Sequence, residues 1–150
     1  MKKSLILAGV VSATALPISA AEIMPMKVAF TDGAVEMSLS GKAGDAATGR
    51  NVFMDRKLGN CLACHQNEDM AEHPFHGEVG PALDGVGDRW TEAELRGIVA
   101  NSKEMFPETI MPGFYVVDGF NRTLDKFEGK SILNAQQVED VVAYLLSLKE

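Results

Sequence analysis

The spacing of apolar residues is most regular near the C-terminus of the chain. Between Ala135 and Leu148, apolar residues recur at positions i, i+3, i+4 and i+7, which places them on one face of a helix. Asn134 suits the N-cap position, and Gln137 three residues later completes a capping box. The pattern therefore predicts an amphipathic helix that runs from Asn134 to the end of the chain.

Helical spacing also occurs in two shorter stretches. The first begins after Asp45, which suits an N-cap, and ends near Arg56 and Lys57, whose charges favour a helix C-terminus. The second begins at Thr91, which forms a second capping box with Glu94, and continues to about residue 101. Three or four helices are thus expected, and the predicted fold class is mostly α.

Residues 21–44 have a different pattern, in which apolar and polar residues alternate around Asp32 and Gly33. An Asp-Gly pair between alternating segments is typical of a hairpin turn. We therefore expect an extended N-terminal lead-in that contains a short hairpin. Because a short hairpin is only marginally stable alone, its apolar face is expected to pack on the helical domain or on a partner.

Two long segments without clear periodicity separate the predicted helices. They run from Gln66 to Arg89 and from Phe106 to Leu133, and both contain glycine and proline. Loops of this length are uncommon in a compact domain unless they have something to pack against. They favour a helical domain built around a large buried cofactor.

The first twenty residues have the composition of an export signal. Lys2 and Lys3 precede an apolar stretch from Ser4 to Leu16, which is too short to span a bilayer. Cleavage is expected after Ala20 or Ala21, so residues 1–20 are predicted to be a signal peptide and the mature protein to be periplasmic. The alternative, a buried N-terminal helix, would begin a domain with its most apolar segment beside two lysines.

Size and charge narrow the classes of function. The chain has 150 residues and a net charge of −7, and its length favours one domain. Removal of the first twenty residues would leave 12 basic against 21 acidic residues. Such a protein is not expected to bind nucleic acid or an anionic membrane, although it can attract a basic partner. No cysteine lies at the expected cleavage site, so no lipid anchor is expected.

The two cysteines of the chain form a recognisable motif. Cys61 and Cys64 are three residues apart, and His65 follows directly. This C-x-x-C-H spacing is that of haem c attachment, in which each thiol forms a thioether with a haem vinyl group and the imidazole ligates the iron. We therefore predict one covalently bound haem c, with Cys61 and Cys64 as attachment residues and His65 as a metal ligand.

Two other kinds of site have similar cysteine spacing. A thioredoxin-like redox pair requires a βαβ setting, which the hydrophobic pattern does not contain. A zinc site would need further ligands, for which His73 and His76 are the candidates. The zinc interpretation also leaves the export signal, His65 and the long loops unexplained.

An electron-transferring haem needs a second axial ligand, and a methionine thioether in that position raises the reduction potential. Met111 is the preferred candidate because it precedes Pro112 and Gly113 in a segment with little helical periodicity. Met105, at the end of the second predicted helix, is the alternative. A structural or sensing haem module with an open sixth position is a further interpretation.

Two residues of the first long loop are predicted to support the haem. A metal-ligating histidine usually donates its second ring nitrogen to an oxygen atom, and the Pro81 carbonyl is the proposed acceptor. Arg89 is a candidate for hydrogen bonds to the haem propionates, although a solvated arginine fits the sequence equally well.

The order of these motifs resembles the class I cytochrome c fold, in which the first and last helices cross at small and aromatic positions. Gly49, Phe53 and Tyr144 match those positions. The resemblance implies a helical domain wrapped round one haem c, with His65 and Met111 as axial ligands. The chain then divides into a signal peptide (1–20), an extended segment (21–44) and a cytochrome c domain (45–150).

Longer segments are similar to SoxX, the family of monohaem cytochrome subunits found in the SoxAX complexes of bacterial sulfur oxidation. They are FHGEVGPALDGVGDRW (75–90), TIMPGFYVVDGFNR (109–122) and GKSILNAQQVEDVVAYLLSLK (129–149), and the likeness includes the lead-in VAFTDGAVEMSL (28–39). The stretch 68–72 departs from the family pattern.

The SoxX resemblance implies a heterodimer with a SoxA-type cytochrome subunit, which together couple thiosulfate to a cysteine of the SoxYZ carrier. The pair would act as an L-cysteine S-thiosulfotransferase, and this chain would pass the released electrons to a soluble cytochrome c. No catalytic residue is expected here, because haem attachment consumes both cysteines. A free-standing, diffusible electron-transfer cytochrome c is the alternative.

Overall fold

The computed structural model describes residues 21–150, and the predicted signal peptide lies outside these described residues. The described residues form four α-helices: α1 (Ala46–Met54), α2 (Val86–Arg89), α3 (Glu92–Asn101) and α4 (Ala135–Ser147). Single 3-10 turns occupy Pro25–Lys27, Cys61–Ala63, Glu68–Met70, Ser102–Glu104 and Asp125–Phe127. Within residues 21–150 there is no β-strand, and the predicted mostly α class is confirmed.

Helices α1 and α4 cross at close range. A Cβ atom on Gly49 would lie 1.8 Å from the Asp140 carbonyl oxygen, so the two backbones can approach this closely only at a glycine. One turn further on, the rings of Phe53 and Tyr144 meet edge to face, with centroids 5.4 Å apart. The predicted crossing residues therefore do lie at the helix crossing.

The predicted helix starts are confirmed. The Asp45 side chain accepts a hydrogen bond from the Thr48 amide, and complete capping boxes open α3 at Thr91 and α4 at Asn134. The four-residue helix α2 was not predicted, because a single turn is too short to show a period.

The predicted end of α1 is wrong. The helix stops at Met54, and Arg56 and Lys57 lie in the turn that follows it. The cause is local, since the Asp55 side chain accepts a hydrogen bond from the Lys57 amide at 2.8 Å and so competes with the helical pattern. The two basic side chains are therefore not placed on the last turn of the helix.

The lead-in forms the predicted turn but not the predicted strands. Thr31 and Ala34 make one isolated antiparallel bridge around Asp32 and Gly33, which have φ values of 49° and 80°. Beyond the turn, the Val35 amide donates to the Ala93 carbonyl of α3 at 2.9 Å. At Val35 the backbone of the lead-in is thus hydrogen-bonded to the helical domain instead of to a second strand.

A buried ion pair holds the lead-in to the helices. Arg96 of α3 and Glu139 of α4 are each 3% exposed, and Arg96 Nε lies 3.0 Å from Glu139 Oε1. Arg96 also donates to the Val35 carbonyl, and the Leu39 amide donates to Glu139. The side chains of Val35 and Leu39 are buried. Val35 and Leu39 are therefore part of the core.

None of the helices within residues 21–150 has the length and apolar character that a transmembrane span requires.

Candidate haem site

The C-x-x-C-H motif lies on one tight turn. Cys61 begins a 3-10 turn, and the Cys64 and His65 amides both donate to the Cys61 carbonyl at 3.0 Å. Asn60, directly before the turn, has a left-handed φ of 48°, which redirects the chain after α1. Buried Leu62 fixes the turn to the core. Both sulfur atoms and the imidazole are thus presented by one short segment.

The two thiols are unpaired and have different environments. Cys61 borders the core and is partly buried, whereas Cys64 is exposed. Burial raises the pKa of the Cys61 thiol to about 12, because desolvation disfavours the thiolate. Redox-active Cys-x-x-Cys pairs have a lowered thiol pKa. The environment of Cys61 therefore disfavours the thioredoxin-like interpretation.

The His65 ring has a fixed orientation. His65 Nδ1 lies 2.7 Å from the Pro81 carbonyl oxygen, which can only accept a hydrogen bond. The contact assigns the proton of a neutral imidazole to Nδ1 and leaves the Nε2 lone pair available for a metal. This is the contact that the predicted role of Pro81 requires, and the role itself depends on the bound iron.

Gly80 lies close to the same ring, a contact that the sequence does not reveal. A Cβ atom at this position would be 2.4 Å from His65 Cε1, far inside van der Waals contact. At Gly77 a Cβ would be 2.1 Å from the Ala63 carbonyl oxygen. Both glycines let the loop pack on the motif turn, which a glycine in a sequence does not by itself reveal.

Backbone bonds join the segment after His65 to the segment that carries Pro81. The Gly80 amide donates to the Cys64 carbonyl at 2.8 Å, and the Leu83 amide donates to the Gln66 carbonyl at 2.9 Å. The two segments therefore run side by side, and the position of the Pro81 oxygen depends on both.

Arg89 is engaged with this loop. Its Nη1 and Nη2 atoms donate to the Asp84 and Ala82 carbonyls at 2.5 and 3.0 Å. These bonds hold the backbone next to Pro81. A contact between Arg89 and a haem propionate stays a prediction.

Met111 lies in a loop that is tied to the end of α3. Its carbonyl accepts from Ser102 Oγ at 2.9 Å and from Lys103 Nζ at 2.7 Å, and its side chain packs on the core cluster that Cys61 also borders. Met105, in contrast, packs closely on Gly33 of the lead-in. Ligation of iron by Met111, like the alternative of Met105, stays a prediction.

The other two histidines are used differently. His76 Nδ1 accepts from the Asn67 amide at 3.2 Å, and His76 Nε2 lies 3.1 Å from the Met70 carbonyl oxygen. His73 Nε2 lies 3.6 Å from a Glu72 carboxylate oxygen. Across residues 21–150, no three or more His, Cys, Asp or Glu side chains are arranged to hold a metal ion, so the zinc set does not assemble.

The residues present fit a covalently attached haem. Two unpaired thiols and an imidazole with an available Nε2 share one turn. Gly80 has no side chain that would push the His65 ring out of its orientation. This donor set matches thioether attachment with histidine ligation.

Comparison with known proteins agrees with this assignment. The cytochrome c family matches residues 46–149, and no match was found among curated proteins. A chain in the crystal structure of SoxXA from P. pantotrophus is 52% identical, with 87% of this chain and all of that chain covered and a TM-score of 0.82. Ferric cytochrome c-550 from Paracoccus versutus is 22% identical over 71% of this chain and 99% of that chain, with a TM-score of 0.41. The chain therefore belongs to the cytochrome c family and, within it, to the SoxX group, and it carries a covalently bound haem c.

Proposed function

We propose that this chain is the electron-transfer subunit of a SoxAX-type heterodimer that couples thiosulfate to a cysteine of a SoxYZ-type carrier. The observation that carries the proposal is the 52% identity over the whole length of a SoxXA chain. A general electron-transfer role needs only the motif turn, whereas the likeness extends through the lead-in and the long loops.

The proposed reaction releases electrons that must leave the site. A carrier thiol and thiosulfate join through a new sulfur–sulfur bond, which gives a cysteine S-thiosulfonate, one proton and two electrons. When bound, the haem of this chain supplies a reversible one-electron carrier, so the electrons pass singly to a soluble cytochrome c. Haem attachment uses both Cys61 and Cys64, so the sulfur chemistry of this L-cysteine S-thiosulfotransferase lies on the SoxA-type partner.

Side chains of this chain would hold the haem and adjust its reduction potential. Cys61 and Cys64 would form the thioethers, and His65 and Met111 would supply the nitrogen and sulfur ligands of the iron. Donation from His65 Nδ1 to the Pro81 carbonyl would make Nε2 a more basic ligand, while a Met111 thioether would favour reduced iron.

Exposed apolar side chains support a subunit of a complex over a free-standing carrier. Residues 118–132 contain no buried residue, yet they carry large apolar side chains at Phe120, Leu124, Phe127 and Ile132. The Leu133 amide donates to the Phe114 carbonyl and closes this segment at its base. The lead-in also exposes Met24, Met26 and Met37. Exposed apolar groups of this kind are typical of protein interfaces.

The proposal includes export of this chain to the periplasm. Residues 1–20 are proposed to be a signal peptide, which would deliver the chain to the periplasm, where c-type haem attachment is completed.

Purification of the tagged chain from its native periplasm tests the proposal. We expect a second haem protein to co-purify, and we expect the pair to modify the carrier cysteine when thiosulfate is added. A variant in which alanine replaces both Cys61 and Cys64 is the control, because it should carry no covalent haem and support no such reaction. A lone haem-bearing monomer without this activity would favour the diffusible carrier.

A further inference from the structure

Asn67 is a buried polar residue close to His65, and it has no role in the electron-transfer function proposed above. Its relative exposure is 0%. Its Nδ2 atom donates to the Tyr144 hydroxyl at 2.8 Å, and its Oδ1 atom accepts from the Asp69 amide at 3.1 Å. Its own amide donates to His76 Nδ1 at 3.2 Å. Burial of so many polar groups is tolerated because each one has a partner.

The side chain of Asn67 is anchored to the most rigid part of the domain. Tyr144 belongs to α4, and its ring packs edge to face on Phe53 of α1. The Tyr144 hydroxyl in turn donates to Asp69 Oδ2 at 2.7 Å, and Arg50 Nε of α1 lies 3.0 Å from the same oxygen. The α1–α4 crossing thereby holds the segment that follows the motif turn.

Asn67 is two residues from His65 in the chain, and both neighbours of Asn67 are hydrogen-bonded to the loop that carries Pro81. Gln66, between His65 and Asn67, pairs with Leu83 through its carbonyl, and the Glu68 amide donates to Asp84 Oδ1 at 2.7 Å. A shift of Asn67 therefore moves the backbone that carries His65. It also moves the paired backbone that carries the Pro81 oxygen.

The ring itself has little freedom to absorb such a shift. A Cβ atom at Gly80 would lie only 2.4 Å from Cε1, and at Nδ1 the Pro81 oxygen is 2.7 Å away. A metal-ligating histidine takes its orientation from these outer contacts. A displacement of the backbone would consequently appear as a rotation of the imidazole plane.

We propose that Asn67 is a positioning residue, which fixes the plane of the His65 imidazole through its bond to Tyr144. The proposal rests on the proposed function only in taking His65 as an axial ligand of the haem. Asn67 touches neither the haem nor a substrate in this role.

The test uses the holoprotein and three variants. Asn67→Ala removes the whole anchor, and Tyr144→Phe removes the hydroxyl while leaving the ring packed on Phe53. Asp140→Ala is the matched control, because Asp140 is a buried polar residue, 5% exposed, whose carboxylate accepts from the Asp45 amide at the start of α1 and from Gln136 of its own helix, α4. All three are expected to lower the Tm.

The decisive readout is the pattern of hyperfine-shifted haem methyl resonances in the ferric protein, which follows the orientation of the iron ligands, the histidine plane among them. We expect Asn67→Ala to change the spread and order of these resonances and Tyr144→Phe to change them in the same direction. The double variant should differ from Asn67→Ala only through the added loss of the Tyr144–Asp69 bond, because both single changes break the Asn67–Tyr144 bond. The Asp140→Ala pattern should match that of the wild type.

A wild-type pattern in both Asn67→Ala and Tyr144→Phe, together with a lowered Tm, would show that Asn67 only stabilises the fold and would overturn the proposal. Because the readout is the haem spectrum, this failure is separate from a failure of co-purification. A wild-type protein without a low-spin ferric signal would overturn the ligation on which the proposal depends.

Discussion

Replacement of Gly80 by alanine perturbs the site at one defined contact. The new Cβ would lie 2.4 Å from His65 Cε1 and 2.7 Å from Nδ1, so the ring or the loop must move by roughly 1 Å to restore ordinary contact. A movement of this size breaks the 2.7 Å bond between His65 Nδ1 and the Pro81 carbonyl.

The cost follows from these two effects. Overpacking a tight contact costs about 1–3 kcal/mol, and the lost hydrogen bond adds about 1 kcal/mol. We therefore expect the free energy of unfolding to fall by about 2–4 kcal/mol. Loss of the Nδ1 bond makes Nε2 less basic, so ferric iron is less favoured and the reduction potential rises.

The assay combines thermal unfolding with a redox titration of the purified holoprotein. Gly87→Ala is the matched control, because its Cβ would lie 2.6 Å from the Leu146 carbonyl oxygen at the α2–α4 contact, away from His65. Gly87→Ala should lower the Tm and leave the potential unchanged. If Gly80→Ala also left the potential unchanged, the reasoning about the His65–Pro81 bond would be refuted.

Three further results are expected. Met111→Ala should abolish the methionine-to-iron charge-transfer absorbance and lower the potential, whereas Met105→Ala should do neither, and the reverse would refute the ligand assignment. Arg96→Met should lower the free energy of unfolding by about 3–5 kcal/mol, because Glu139 is left buried without its counter-charge, and denaturant unfolding that changes by less than about 1 kcal/mol would contradict this. Hydrogen bonds from a tyrosine hydroxyl and an arginine lower the pKa of Asp69 below its ordinary 3.8, so its contribution to stability is present above that pH and is lost as the pH falls through the lowered folded value. Acid unfolding of Asp69→Asn should lack this component, and a midpoint equal to that of the wild type would count against it.

Much of the fold could be predicted because its signals are local. The apolar period of α4 and the capping boxes at Thr91 and Asn134 need only neighbouring residues, and the spacing of Cys61, Cys64 and His65 defines a turn by itself. Each of these features is satisfied within a few residues, so tertiary contacts do not override it.

The features that escaped prediction depend on partners far along the chain. The lead-in has no strands because its Val35 amide finds the Ala93 carbonyl, a partner that no local pattern reveals. Likewise, Asn67 bonds Tyr144 from 77 residues away, and Gly80 matters only because the His65 ring lies against it. Buried polar pairs and close backbone approaches are properties of the assembled fold.

The most direct test of the proposed function is the redox state of this haem during turnover. The purified complex would be mixed with the carrier protein and thiosulfate while the absorbance of the haem on this chain is followed in a stopped-flow instrument. We expect this haem to become reduced only when both thiosulfate and carrier are present, and to be reoxidised by a soluble cytochrome c. A haem that stays oxidised while the carrier cysteine is modified would contradict the assignment of this chain as the electron-transfer subunit.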